Sequence, residues 1–409
     1  MDPKITKTLD HLFRHEYGRI VSGLSLSFGV HHLELIEDSV QDSILKASQV
    51  WAFNGIPDKP SNWLFKVSRN KFLDLLKREA KSESLVFDNI GSENELEFSL
   101  DTELKDEQLK MIFACCNSAI PLRDSLLLSL KLISGFNIAE ISRALLLKEE
   151  TTKKSLQRAK NKFREVVGEL YIPSGSELKD YLHRVVKVIY LMFNEGYKAS
   201  IGKELINRDL CGEALRLALL LIDKKECKDV SSTSLISLIS YKIARFDARQ
   251  ENGKLKTLKN QNRLLWIEDY VKWANYYFHQ ATLFKEFDKL YLEASIEFQY
   301  HISPSYESID WKKILAIHQI ILSNYNSPKA QLNYLIVLAE IEKANLVLSQ
   351  LEKLEESLNQ NHLFFAFKSE MQLKTQNIDE GIKSLNKAID LSTNEVERNY
   401  LLEKRSLIL

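Results

Sequence analysis

Seven basic side chains fall between Lys148 and Arg164: Lys148, Lys153, Lys154, Arg158, Lys160, Lys162 and Arg164. Only Glu149 and Glu150 oppose them, so the stretch carries +5 in a chain whose formal charge is zero. Ammonium and guanidinium groups at that density hold phosphates, or they keep a helix face solvated. The flanking residues favour the first reading. Asn137 followed by Glu140 is a capping-box variant, and Ile138, Ile141 and Leu145 form the buried face of a short helix. A tight turn at 146–148 follows. Glu149 and Glu150 then stand in the first turn of a second helix, where the dipole favours anions. Leu156, Ala159 and Phe163 make its core stripe. A short helix, a tight turn and a second helix with a polar, basic outer face is the helix-turn-helix pattern. Thr151, Lys153, Lys154, Gln157, Arg158, Lys160 and Lys162 are its candidate DNA contacts, the earlier ones to base edges and the later basic ones to phosphates. An ordinary helical hairpin with a basic exterior is the alternative.

The elements that must position this stretch are helices. Gly and Pro number only 13 and 7, and Leu33, Ile36, Val40, Ile44, Ala47 and Trp51 recur every three or four residues. "NGIPDKPSN", residues 54–62, is a loop, and Ser61 or Asn62 is placed to cap the next helix. That helix, to about residue 80, buries Leu64, Val67, Phe72, Leu75 and Leu76 and turns Lys66, Arg69, Asn70 and Lys77 outward. Between Glu83 and Glu107 nine acidic residues oppose Lys105 alone, a charge of −8, which suggests a poorly ordered linker. After Pro173 the chain is helical to its end.

Length and composition suit a soluble protein of several domains: 409 residues, 44% hydrophobic and 27% charged. There is no apolar run long enough to span a bilayer and no secretory apolar core in the first residues, so no membrane partner is expected and the cytoplasm is. Cys115, Cys116, Cys211 and Cys227 lack the spacing of a zinc site and are expected to be reduced, buried thiols. No cofactor is expected.

"LELIEDSVQDSILKASQVW" followed by "GIPDKPSNWLFKVSRNKFLDLLKRE" resembles region 2 of a sigma-70-type initiation factor. "ISGFNIAEISRALLLKEETTKKSLQRAKNKFRE" resembles its region 4. With an acidic linker between them, this is the layout of the extracytoplasmic-function (ECF) sigma factors. "ACCNSAIPLRDSLLLSLKLISGF", "VIYLMFNEGYKAS" and "RDLCGEALRLALLL" resemble the ECF subgroup with a long, TPR-like C-terminal extension. Two departures stand out: Thr152 replaces an apolar residue, and the turn lacks Gly.

The resemblance implies an all-α chain with region 2 at 8–81, an acidic linker at 82–107, the region 4 helix-turn-helix at 108–168 and a helical extension at 174–409. It implies core RNA polymerase and the −35 and −10 promoter elements as partners, and no catalysis. The helix-turn-helix residues above become the −35 contacts. Asp38, Gln41 and Asp42 match the surface that docks on the polymerase clamp, unless they are a plain solvated face. Asn54, Trp63, Lys66, Arg69, Asn70 and Lys77 fall to the −10 element: the six cations from Lys66 to Lys81 against Asp74 and Glu79 give +4 to hold a strand's backbone. Trp63 stacks on an exposed base or packs in the core. The linker matches the segment that threads through polymerase channels, or is a solubilising spacer.

In the extension, segments beginning at residues 327 and 361 each give two helices, at the 34-residue period of tetratricopeptide arrays, with a concave surface suited to a protein or peptide partner. Its expected role is regulatory, with "FNEGY" and "RDLCGEALRL" at its junction with the DNA-binding half. A TPR-like scaffold without transcription activity is one competing reading. An enzyme built on His183, Glu195 and Asp209 is the other, with no phosphate loop or nucleophile elbow to accompany them.

Overall fold

The computed structural model describes residues 3–82, 100–145, 147–197, 205–251 and 253–408. Among these the chain is all-α apart from one two-residue ladder, Gln250–Glu251 against Lys254–Leu255. It divides into two compact units, Met1–Leu191 and Met192–Leu409.

The first unit holds α1 (Pro3–Phe28), α2 (Leu33–Asn54), α3 (Pro60–Ser82), α4 (Leu100–Cys115), α5 (Leu122–Leu128), α6 (Ile138–Leu145), α7 (Glu149–Val166) and α8 (Gly175–Tyr197) as far as Leu191. The expected stripe of α2 is seated: Leu33, Ile36, Val40 and Ala47 are fully buried and Trp51 nearly so. Helix α3 starts at Pro60, ahead of the expected cap at Ser61 or Asn62, because proline suits the first helical position, where no amide partner is required. Most of the expected acidic linker lies outside the described residues. Its last part is helical, since α4 begins at Leu100; Glu propagates helices well, and acidic side chains are favoured near a helix N-terminus.

Helix α5 runs directly into a π turn, Ser129–Ile133. Helix α1 packs on α2, α4 and this turn. Gly18 makes the approach possible: a Cβ there would stand 1.8 Å from the Ile133 carbonyl oxygen, so no other residue fits without moving backbone.

The boundary between the units falls within α8, beyond the one expected at 174. The cause is the hold of α8 on the turn after α4. Arg184 donates to the carbonyls of Cys116 at 2.9 Å and Ile120 at 2.5 Å, and Asn117 donates to Tyr181 Oη at 3.0 Å.

The second unit continues with α9 (Arg208–Asp223), α10 (Val230–Ala244), α11 (Phe246–Arg249), α12 (Glu268–Thr282), α13 (Lys289–Ile302), α14 (Trp311–Asn324), α15 (Pro328–Leu338), α16 (Ala344–Leu351), α17 (His362–Lys374), α18 (Ile378–Leu391) and α19 (Glu395–Ser406). Its centre is α10, buried along nearly its whole length and packed by α9, α12 and α13. An Asp229–Ser232 capping box starts it, and Ser237 donates to the Ala274 carbonyl of α12 at 2.9 Å. The two segments expected as repeats are the pairs α15–α16 and α17–α18. They share a core that includes Leu335, Val347, Leu351, Phe364, Leu385 and Ile389.

Beside α10 lies a buried charge cluster. Glu297 is bonded by Arg245 at 2.5 Å and Lys242 at 3.0 Å. Burial opposes its ionisation, but Arg245 and Lys242 outweigh that and hold the carboxyl down to about 2. Two imidazoles of this unit, on α13 and α14, are neutral. Burial, helped by Arg245, pushes His301 down to about 4, and burial alone does the same to His318. From an ordinary value of 6.5, the unfolded chain takes up protons that the folded one refuses until about pH 4. Stability is therefore lost as pH falls through that window. We expect the melting temperature to drop between pH 6.5 and 4, and His318→Leu to remove part of that slope in a thermal scan.

Candidate nucleic-acid interface

The expected pair of helices forms as α6 and α7, with three residues between them. The Glu140 amide donates to Asn137 Oδ1 at 2.9 Å and the Asn137 amide donates to Glu140 Oε2 at 2.8 Å, which closes the expected capping box of α6. Lys148 is extended and caps α7 through its backbone alone, its carbonyl accepting from the Thr152 amide at 2.9 Å. Thr152, Leu156, Ala159 and Phe163 form the buried stripe. Thr152 has a specific partner: Ser142 Oγ lies 2.9 Å from its hydroxyl, joining α6 to α7. A hydroxyl therefore replaces an apolar knob without being left unsatisfied.

The polar residues of α7 divide into two groups. Thr151, Lys153, Lys154, Gln157 and Arg158 are exposed. Lys154 makes a surface pair with Glu150 at 2.8 Å, and Arg158 reaches Asp124 of α5 at 3.3 Å while staying 71% exposed. Lys162 pairs with Glu165 at 3.0 Å. Lys160 departs from its expected phosphate-facing place. Its side chain is only 12% exposed and lies 2.5 Å from Glu37 of α2. Arg164 likewise meets Glu34 of α2 at 3.2 Å, and Gln157 donates to the same carboxylate at 3.0 Å. The hydrogen bond from Gln157, reinforced by Arg164 and Lys160, holds the Glu34 carboxyl below the usual carboxylate range against a small opposing cost of burial.

Asp38, Gln41 and Asp42 are exposed on α2. Asp42 pairs with Lys71 of α3 at 3.0 Å. Among the −10 candidates, Asn54 ends α2 and is exposed, as are Lys66, Asn70 and Lys77, while Arg69 is half-buried. Trp63 is half-buried, edge-on to Trp51 with ring centroids 5.5 Å apart, and Trp51 stacks on Phe13 at the same spacing. The aromatic that projects here is one the sequence reading missed. Phe53 is 90% exposed, beside Asn54 and the Gly55 turn. The signal was available: Phe53 falls outside the α2 stripe that ends at Ala47 and Trp51.

Residues 181–282 match a family of unknown function, DUF6596. The chain is 29% identical over 379 residues to an uncharacterized protein of Rhizobium meliloti (strain 1021), a span of 90% of this chain and 89% of that one. No solved structure matches.

The matched span contains both motifs read from the extension, and they meet. Gly196 of "FNEGY" lies under the start of α9, where a Cβ would come 2.8 Å from Cys211 Sγ. The Asn207 amide donates to the Gly196 carbonyl at 2.8 Å, and the Asn207 side chain caps α9. Tyr197 is buried, with the Arg249 guanidinium 3.9 Å from its ring centre and Lys242 at 4.9 Å. Packing thus accounts for these residue types.

His183 and Glu195 stand twelve residues apart on one helix, about 18 Å at 1.5 Å per residue. The four cysteines are buried and unpaired, and burial pushes Cys116 up to about 12 and Cys227 up to about 11. Among the described residues no cluster could hold a metal and no helix is long and apolar enough to cross a membrane.

Proposed function

We propose that this chain is an alternative sigma factor of the ECF type, which binds core RNA polymerase and directs it to promoters carrying −35 and −10 elements. The observation that carries the reading is the α6–α7 unit, with its capped first helix, its Ser142–Thr152 lock and its exposed run Thr151, Lys153, Lys154, Gln157 and Arg158. A helix with such a face suits a major groove, which admits one helix and offers base edges to its first turns. Asp38, Gln41 and Asp42 form the polymerase-docking face. The cations of α3 hold the −10 strand, and Phe53 joins Asn54 as the platform for an unpaired base. Stacking of that kind is worth about 1–3 kcal/mol per base. Phe53→Ala is expected to lower permanganate reactivity of unpaired −10 thymines while leaving the melting temperature unchanged.

The second unit is a fused, TPR-like module that regulates the sigma domains or takes a protein or peptide partner. Its proper start is Met192, since a cut after Gly168 would remove the Arg184 and Tyr181 contacts from the first unit. The reading places the protein in the cytoplasm with polymerase. A DNA selection tests it: core enzyme plus this protein should enrich two short elements at fixed spacing from random fragments. Enrichment no different from core enzyme alone would reject the assignment.

A further inference from the structure

The second unit leaves one flank of α12 uncovered. Its inner flank packs on α10 and α13, with Ala274 and Ala281 buried and Phe278 stacked on Tyr291 and Phe298 of α13. The outer flank carries Asp269, Trp273, Tyr276, Gln280 and, at the C-cap, Leu283, spaced four, three, four and three residues apart. That spacing is a heptad seam, the pattern by which one helix seats its side chains between those of another. We propose that this seam pairs, antiparallel, with the same seam of a second copy, so that the protein is a dimer through α12. The inference deepens the reading of the second unit as a partner-taking module and commits it to one partner.

The seam is apolar and held in place. Trp273, Tyr276, Leu283 and, in the turn that follows, Phe287 are each 50–60% exposed. Tyr270 stands edge-on to Trp273 and Tyr277 edge-on to Tyr276, with ring centroids 6.3 and 5.1 Å apart. Rings already ordered lose little entropy when a partner covers them. A fully buried aromatic side chain covers about 150–250 Å², so the free parts of Trp273, Tyr276 and Phe287 alone offer about 250–400 Å². A standard interface takes about 800 Å² from each partner, a little over half of it apolar. The seam supplies most of that apolar share, and Glu268, Lys272, Asn275 and His279, all exposed, supply the polar rim. The order of the residues favours self-pairing. About a two-fold axis beside Phe278, Trp273 meets the second copy's Leu283, and Tyr276 meets its Gln280, a hydroxyl facing an amide. Asp269, the acidic start of the seam, comes beside the second copy's Lys285, and the two helix dipoles run in opposite directions. A parallel copy would set Asp269 against Asp269 and Lys272 against Lys272.

Sedimentation equilibrium of the full chain at tens of micromolar should return twice the mass of one chain. Trp273→Glu should raise the dissociation constant by about 30-fold or more, the least expected of a buried aromatic anchor. Its helix content by circular dichroism should match the parent's. Should Trp273→Glu fail to fold, Tyr276→Glu carries the same expectation at a more exposed position. Single spin labels give the direction of pairing, since the four native cysteines are buried. His279→Cys stands one residue from the axis and Lys272→Cys six, so the distance between copies should be longer at Lys272→Cys by about 10 Å. A parent that stays monomeric overturns the inference, as does a dimer that Trp273→Glu leaves intact or one in which the two label distances are equal. A monomer that binds core polymerase through Trp273 gives the face to polymerase and also overturns it. Neither polymerase nor promoter enters the sedimentation, so failure there leaves the sigma reading standing, and a failed DNA selection leaves the dimer standing.

Discussion

The triple substitution Lys153→Ala, Lys154→Ala, Arg158→Ala is expected to abolish recognition of the −35 element. Groove contacts of this type are worth about 1–3 kcal/mol each, so the loss is about 3–9 kcal/mol, or about two to six decades of affinity. The fold should survive. Lys154 and Glu150 are a surface pair, 77% and 79% exposed, of the kind that contributes about 0.3–0.5 kcal/mol. Arg158 also faces Asp124, whose side chain is only 5% exposed, so a modest fall in melting temperature should accompany its removal. Lys160→Ala belongs to a different class. It strips one of three partners from the buried Glu37, which keeps Lys131 and the Tyr17 hydroxyl, so the loss in stability is about 1.5–3 kcal/mol. A promoter-binding titration beside a thermal melt separates the two effects. Unchanged transcription in the triple variant would reject α7 as the recognition helix.

The second large effect is expected from Asp38→Lys with Asp42→Lys. Reversing two charges in a docking face sets like charges against the partner, at several kcal/mol, enough to eliminate capture at micromolar concentration. Neither position holds the fold together: both are exposed, and the Asp42–Lys71 pair is itself at the surface. Co-purification of core polymerase, with circular dichroism of the same sample, is the measurement. If the double reversal captures core enzyme as the parent does, the docking face lies elsewhere.

What the sequence made legible was local. The capping box at Asn137 and Glu140, the α7 stripe and the outward turn of Lys153, Lys154 and Arg158 depend on residues within a few turns of one another. The α2 stripe was readable for the same reason. What the sequence hid depends on distant partners. The amino acids Lys160 and Arg164 look like any other cations of a basic helix. Their commitment to Glu37 and Glu34 required a contact across more than a hundred residues. Thr152 looked like a defect until Ser142 faced it. Trp63 lies at the edge of the core because it packs edge-on against Trp51, a contact that its own segment does not announce. The start of α4 was masked by an acidic composition that suits a linker and a helix N-terminus alike. The grip of Arg184 on two carbonyls, which ties the first part of α8 to the first unit, likewise joins residues more than sixty positions apart.

The most direct measurement of the central claim is multiple-round transcription by core RNA polymerase over a pool of promoter fragments, with and without this protein. Transcripts should appear only when the protein is added, starting at a fixed distance downstream of a shared pair of elements. Transcripts that are absent, or identical with core enzyme alone, would contradict it.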